Sequence, residues 1–433
     1  MLNIASIRKP KKPNPPKRNE EDIAVVPNAE TTKARKKDLS WLIQRARNED
    51  QTNNWTDHNK QTDDTQRDVT TVGYLPIINN PADDYDTIFT VIIRCQSMIE
   101  ALGKKYTVVT FDEALFCKAM ELIWMNPEKF KNVIVRLGGF HIILTFLKVI
   151  GKRFNSSGLL EAWTESELFG PNAGFNALAG KHYNRSIRGL KITFEAIFRL
   201  LWDKIEDRFS QDNCDLSLNE DEPASELSEL DRVDSIIREM EKTSNPNAKF
   251  WLSYLEMAGI LLRFIRAERS GNWKLHLDSF QEMMPWFAAY DRINYLHWGS
   301  VYLSNMQRLQ ITAPEVSVEF EKGNFVVRTK LAHFNGQSVA LSQEHVIKMC
   351  KVSGGIIGDT RNESALNRWC LTASAMCKMA QKTLFMFDVA IDDGELNDDM
   401  KGEKKKILTQ LLSTSYMNSY QQCLYSTMRA PIL

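Results

Sequence analysis

The sequence lacks the features that mark a secreted, zinc-clustered or membrane-spanning protein. Its 433 residues include seven cysteines without a Cys-x-x-Cys pair, which argues against both a disulfide framework and a zinc set. The best apolar run, Phe140 to Ile150, is broken by His141 and Lys148 and is too short to span a bilayer. Near the start, lysines and prolines stand where a secretory signal has its apolar core. We therefore expect an intracellular protein with no membrane partner.

An excess of charge of one sign is also absent, because Lys+Arg and Asp+Glu number 55 each. No overall field attracts the protein to nucleic acid, so any such contact must come from local patches. Residues 1–72 carry two basic clusters, over 8–18 and 33–37, in a proline-rich and then Asn/Asp/Thr/Gln-rich composition that predicts a flexible region. The clusters are typical of a nuclear-import or phosphate-binding arm, or of a solvated tail, so nuclear localisation is one prediction.

The segment over 131–160 gives the clearest structural signal in the chain. The β-branched residues 133–135 predict a strand, Gly138-Gly139 predicts a turn, and the apolar residues that follow recur at helical spacing. Residues 106–111 predict a second strand by their β-branched content, and a helix is predicted to begin at Asp112-Glu113. Two strands with helices between and after them indicate a small α/β unit.

Changes in composition divide the chain into predicted regions. Acidic residues around Pro223 indicate a linker, and a helical pattern rich in aromatic residues resumes at Phe250. The predicted fold class is α+β and predominantly helical, with a small α/β core, ribonuclease-H-like in one interpretation, beside a helical half. The predicted regions are a flexible N-terminal region (1–72), the α/β core (73–203), an acidic linker (204–248), a helical domain (249–390) and a charged tail (391–433).

Acidic residues at two positions are candidates for metal-dependent chemistry. Asp112 follows a predicted strand, and ribonuclease-H-like nucleases hold carboxylates at strand ends, where paired divalent metals activate water. Asp followed by Glu at a helix start is also an ordinary N-cap, favourable to the free amides and to the helix dipole. Glu268 lies beside three arginines and is the second candidate acid.

Basic residues on two predicted helices are candidates for contact with nucleic acid. One set falls on a single side of the helix around residue 185, and the other set is spaced three apart before residue 270. Such arrays follow a phosphate backbone, or they form a salt-bridged solvated face. The candidate phosphate contacts are Lys181, Arg185, Arg188, Arg263, Arg266 and Arg269, with Trp273 as the candidate base-stacking residue.

Several blocks between Val72 and Lys382 resemble an uncharacterised family encoded in multicopy, mobile-element-like genes of invertebrate genomes. The blocks include YLPIINNPADDYDT, VVTFDEALFCKAMEL, VRLGGFHIILTFLKVIG, AGKHYNRSIRGLK, FIRAERSGNWKLHL and GGIIGDTRNESALNRW. The resemblance implies a mobile-element-associated, transposase-like protein. Longer family members have an upstream portion, so the resemblance also implies that this chain is a C-terminal portion or a decayed copy.

The chain departs from the family pattern near residue 340. Where the family tends to have Asp-Gln-x-Ile-Glu-Gln, this chain has Ala340, and only Glu344 keeps its acid. The resemblance implies Asp112 with Glu268 or Glu344 as metal-binding acids and Mg²⁺ as the cofactor of a catalytic member. The loss of the acid at position 340 implies that catalysis is impaired in this copy.

Two functions are therefore predicted. The first is a nucleic-acid-associated, transposase-like protein, partial or catalytically impaired, with DNA as its partner. The second is a non-catalytic helical scaffold that binds a protein partner or itself. A nucleic-acid binder requires the candidate cations to converge on one positive surface near Asp112, whereas in a scaffold they scatter or pair with acids.

Overall fold

The computed structural model describes residues 29–47, 53–63, 67–71, 78, 80–218, 229–328 and 331–342. Helices dominate this part of the chain, which confirms the predicted α+β, mainly helical class. Its elements in chain order are α1 (Ala29–Ala46), α2 (Trp55–Thr62), α3 (Tyr85–Ala101), β1 (Thr107–Phe111), α4 (Glu113–Met125), β2 (Val133–Leu137), α5 (Gly139–Phe154), α6 (Leu159–Glu165), α7 (Pro171–Leu178), α8 (Tyr183–Leu218), α9 (Glu229–Thr243), α10 (Pro246–Ser270), α11 (Trp273–Ala289), α12 (Ile293–Gln307), α13 (Leu309–Thr312) and α14 (Pro314–Glu321).

Both predicted strands form, and they pair in parallel as a βαβ unit with α4 as the connection. The register runs from Thr107 opposite Val133 to Phe111 opposite Leu137. Within the described ranges these two strands make up a two-stranded sheet, so the ribonuclease-H-like interpretation is not confirmed. Gly138 then caps α5, as the predicted turn requires.

Helix α10 is the centre of the molecule. It is buried along most of its length from Leu252 to Glu268 and packs against α1, α5, α8, α9 and α11. Such all-round burial explains its apolar composition, because each face meets another helix. One continuous cluster of buried apolar side chains extends from Leu39 to Phe334, and α10 runs through it.

The N-terminal part of the chain differs from the predicted flexible region. Over 29–46 the structure has the helix α1, which buries Leu39, Trp41 and Leu42, and α2 buries Trp55. These apolar side chains lie among many lysines and arginines, so average composition concealed them. A few large buried side chains are enough to hold a short helix against a preformed core.

The predicted acidic linker likewise contains regular structure. Helix α8 continues to Leu218, and α9 follows within the same predicted region. Val233, Ile236 and Met240 of α9 are buried at spacings of three and four residues, the period of one helix face. The acids on its other face made this helix look like a solvated spacer.

Parts of the predicted architecture stay untested. Residues 343–433, which include Glu344 and the predicted charged tail, lie outside the described residues. The domain boundaries at 72, 203, 248 and 390 stay predictions. Among the helices that are described, none combines the length and apolarity that a membrane crossing needs.

Candidate anion-binding site

Two of the candidate phosphate contacts on α10 are buried in ion pairs. The Arg263 guanidinium lies 2.7 Å from the Glu282 carboxylate of α11, and its side chain is 7% exposed. The Arg266 guanidinium contacts the Asp38 carboxylate of α1 at 2.5 Å and is 6% exposed. It also donates to the Asn59 side-chain oxygen at 2.8 Å. Both cations are therefore neutralised inside the helix packing.

Glu268 and Trp273 lie in the same buried region. The Glu268 carboxylate is 2.7 Å from Nδ1 of His276, a fully buried histidine whose Nε2 is 3.0 Å from the Tyr302 hydroxyl. Burial lowers the pKa of His276 although Glu268 opposes that shift. Trp273 stacks on the same imidazole with ring centroids 5.1 Å apart and is 5% exposed. In this arrangement Trp273 packs in the core, and its ring is not presented to a base.

Asp112 has the second of its two predicted roles, that of a helix N-cap. It is the N-cap of α4, and its Oδ1 accepts from the backbone N–H of Leu115 at 2.9 Å. The Glu268 carboxylate lies against the start of α5, where a Cβ at Gly139 would be 2.9 Å from it. Among the described residues no group of three or more His, Cys, Asp or Glu side chains is placed to hold a metal. The residues present there do not fit the Mg²⁺ that the family resemblance implies.

Other basic residues meet in a pocket formed by α1, α2, α8 and α10. Its cavity volume is about 450 Å³, and Arg188 and Arg269, both candidate phosphate contacts, line it. Between them lies Lys191, three residues after Arg188 on α8. We call Arg188, Lys191 and Arg269 the pocket cations. Trp41 and Trp55 also line the cavity and are each 2% exposed.

Lys191 is the most perturbed cation of the pocket. Its Nζ donates to the Thr56 hydroxyl at 3.1 Å and lies 5.2 Å from the centre of the Trp55 ring. Burial, assisted by repulsion from Arg269, lowers the pKa of Lys191 to about 8. A lysine in this state is destabilised as a cation, and a bound anion would offset that cost.

The three pocket cations outnumber the acids near them, which are Glu195 in the lining and Asp57 beside Lys191. Within the described ranges neither Arg188 nor Arg269 forms an ion pair; Arg269 lies over the Phe334 ring at 5.6 Å instead. Glu195 also lines the cavity, but its carboxylate is 2.8 Å from Arg45 and 3.0 Å from Arg199. The pocket therefore carries excess positive charge, and an anion is the ligand that such a site favours.

The two other candidate cations come shortly before Arg188 in the chain. Arg185 is exposed on α8, and Lys181 is exposed just before that helix, with its Nζ 5.8 Å from the Phe175 ring centre. They are close in sequence to Arg188 and add positive charge outside the residues that line the cavity. The predicted set thus divides into four cations on or next to the pocket and two buried in ion pairs.

Sequence reasoning missed Lys191 and the α2 side of the pocket. The spacing of Arg185, Arg188 and Lys191, each three residues after the last, was a signal that pointed to Lys191. Thr56 and Trp55 gave no such signal, because they lie in a region whose average composition indicates flexibility. Their role depends on packing against residues more than a hundred positions away in the chain.

Comparison with known proteins places the chain in a family. The fold and pocket define a mainly helical α+β protein with a cationic cavity. Residues 54–411 match the family described as Domain of unknown function (DUF8702), and the chain belongs to that family. No curated protein and no solved structure matches the chain. Membership of a family of unknown function is confirmed, while the mobile-element origin and the C-terminal assignment stay predictions.

Proposed function

We propose that the protein is a nucleic-acid-associated protein that binds phosphate groups through the pocket cations and the adjacent basic stretch of α8. The observation that supports this most directly is that Arg188, Lys191 and Arg269 share one cavity, and that none of the three forms an ion pair within the described part of the chain. Arg185 and Lys181 continue the positive charge outside it. A chain whose net charge is zero can bind a polyanion only through such a local patch.

The proposal is one of binding and contains no catalytic step. Asp112 caps α4, and Glu268 is enclosed beside His276 and α5, so each carboxylate already has a structural role. A transposase-like activity would need a metal site, and the described acids do not supply one. This arrangement agrees with an impaired or partial relative of a mobile-element protein, one that keeps its affinity for nucleic acid.

The test is binding to duplex and single-stranded DNA across a salt series. The variant Arg185→Gln/Arg188→Gln removes two exposed guanidinium groups, so it leaves the core intact. We expect affinity to fall steeply with salt, and the variant to bind less tightly with a salt slope shallower by about one to two. The matched control is Lys204→Gln/Arg308→Gln, which removes two exposed cations away from the pocket. Absence of binding at low salt, or an equal loss in the control, would overturn the proposal.

The scaffold is the second candidate function, and one observation favours it. Arg263 and Arg266 are paired with acids inside the protein, as expected for a scaffold. If the protein does not bind DNA, the exposed surface of α8 is the candidate site for a protein partner. An exposed leucine there, Leu200 at 80% exposure, is the residue whose substitution would then be tested for loss of a partner or of self-association.

A further inference from the structure

We propose that the pocket binds the terminal phosphate monoester of a nucleotide, either at the end of a nucleic-acid strand or in a free nucleotide. This inference rests on the proposed function, since it names the chemical group that occupies the cavity. It goes further because a pocket for a terminal phosphate distinguishes strand ends from internal phosphates.

The first support is the number of charges. An internal phosphodiester carries one negative charge, whereas a monoester carries about 1.5 to 2 at neutral pH and three acceptor oxygens. Three cations, Arg188, Lys191 and Arg269, line the same cavity. The Glu195 carboxylate beside them is already paired with Arg45. The excess charge therefore matches a dianion better than a monoanion.

The second support is the arrangement of the donors. Arg188 and Lys191 come from α8, Arg269 comes from the last turn of α10, and the start of α2 supplies the Thr56 hydroxyl. Donors from three helices can surround a phosphate from several sides. Arg188 is exposed at the mouth, while Lys191 and Arg269 are half-buried. Guanidinium groups suit this task because two parallel N–H groups can bind two phosphate oxygens.

The third support is the space beside the cations. The cavity, about 450 Å³, falls in the range of about 300–1,000 Å³ that small-molecule sites occupy and exceeds what a lone phosphate needs. Its lining also includes the apolar side chains of Ile187, Ile192 and Trp41, together with the amides of Asn54 and Asn184. A pocket with a cationic part and an apolar part fits a phosphate that carries a flat organic group. A nucleoside is such a group.

The basic stretch outside the pocket explains how a strand would continue. Arg185 and Lys181 are exposed beyond Arg188 toward the start of α8. A strand whose end enters the cavity would leave its next phosphates near these two side chains. Terminal and internal phosphates thus have different binding groups, and the two contributions can be separated by mutation.

The experiment compares oligonucleotides of one sequence with a 5′-phosphate, a 3′-phosphate or hydroxyl groups at both ends. Adenosine monophosphate, adenosine and inorganic phosphate are measured in parallel. We expect one phosphorylated end to bind about tenfold or more tightly than the hydroxyl strand, because a terminal dianion adds charge-assisted hydrogen bonds. Lys191→Gln and Arg188→Gln should abolish that preference. Arg185→Gln should weaken all strands alike and keep the preference.

The pattern of outcomes distinguishes failure of the inference from failure of the proposed function. Equal binding of all strands overturns the inference and leaves the proposed function in place. Binding of the nucleoside monophosphate over adenosine without any strand binding supports the inference for a free nucleotide and overturns the proposed function. Failure of every ligand overturns both. Because Arg188 is exposed, its variant should remain folded even if Lys191→Gln does not, and a thermal melt of each variant verifies that.

Discussion

At the scale of single residues, Lys191 connects protonation to binding. The groups that face its amine are Arg269 from α10, Asp57 and Thr56 from α2, and Arg188 on its own helix. Burial and Arg269 hold its pKa at about 8, below the ordinary value of 10.5. Its amine is therefore charged below about pH 8 and loses its charge as the pH rises through that value.

The binding of adenosine monophosphate should follow this titration. The phosphate is already a dianion above pH 7, so its own charge changes little over the range. We expect the affinity for adenosine monophosphate to fall by up to about tenfold per pH unit between pH 8 and 9.5. Titration calorimetry at a series of pH values measures it. Lys191→Arg keeps a permanent charge, so its affinity should stay level. A parallel decline in that variant would assign the titration to another group.

At position 151 of α5, only the single hydrogen of a glycine side chain fits. A Cβ at this position of α5 would lie 1.9 Å from the backbone oxygen of Leu178, at the end of α7. Alanine is the better helix former by about 1 kcal/mol, yet the overlap should cost about 1–3 kcal/mol more than that gain. We expect Gly151→Ala to destabilise the protein in urea unfolding.

The matched control is Gly259→Ala in α10, where the new Cβ would meet the guanidinium of Arg263 at 3.2 Å and no backbone atom of another element. That change should cost less than Gly151→Ala, because a side chain can shift by a few tenths of an ångström and a packed backbone oxygen cannot. If both variants had the same free energy of unfolding, the close approach of α5 and α7 would not be the reason for glycine at 151.

At the scale of elements, α1 is held by two kinds of ion pair that differ in burial. Asp38 and Arg266 are 5% and 6% exposed, and Asp38 also accepts from the Trp55 indole N–H at 2.8 Å. Asp231 of α9 and Lys36 are 32% and 38% exposed. Removing one member of a buried pair leaves an uncompensated charge, while an exposed pair has little net effect.

We expect Asp38→Asn to cost about 3–5 kcal/mol of stability and Asp231→Asn about 0.2–1 kcal/mol. Equilibrium unfolding in urea at two salt concentrations measures both. The small effect of Asp231→Asn should shrink further at high salt, and the large effect should persist because buried charges are poorly screened. Similar losses in the two variants would contradict a docking role for the buried pair.

The same helices show how far sequence reasoning reaches. The elements β1, α4, β2 and α5 were predictable because their signals are local: β-branched runs, a capping Asp112 and a Gly138 turn. The surroundings of the α10 arginines were not. A step of three residues turns a helix side chain by about 60° from the previous one, so the arginines point to different neighbours. Which neighbour carries Glu282 or Asp38 depends on tertiary packing.

The candidate site was predictable only in part for the same reason. Arg188 and Arg269 were identified as basic residues on helix faces, and both line the pocket. That these two share a cavity, while Arg266 pairs with a residue 228 positions earlier, follows from the packing of α1, α2, α8 and α10. No local pattern contains that information.

At the scale of the whole molecule, the predicted α/β core and the predicted helical half are joined by apolar packing. Phe154 at the end of α5 lies 4.7 Å from Phe250 and 4.9 Å from Tyr254, measured between ring centroids. The Arg153 guanidinium donates to the Ser253 hydroxyl at 2.9 Å beside them. Such an interface resembles the interior of one domain more than a contact between two.

We therefore expect α5 and α10 to unfold together. Hydrogen exchange across a denaturant series should show their amide protons losing protection at the same midpoint. Phe154→Ala, which removes a fully buried ring, should lower the free energy of opening of both helices by about 3–5 kcal/mol. Leu200→Ala, at an 80% exposed position, should change neither. Because α10 contributes to the pocket and α5 unfolds with it, a ligand at 100 times its dissociation constant should raise the free energy of opening of both helices by about 2.7 kcal/mol. If ligand protected one helix alone, the pocket and the core would belong to separately folding units.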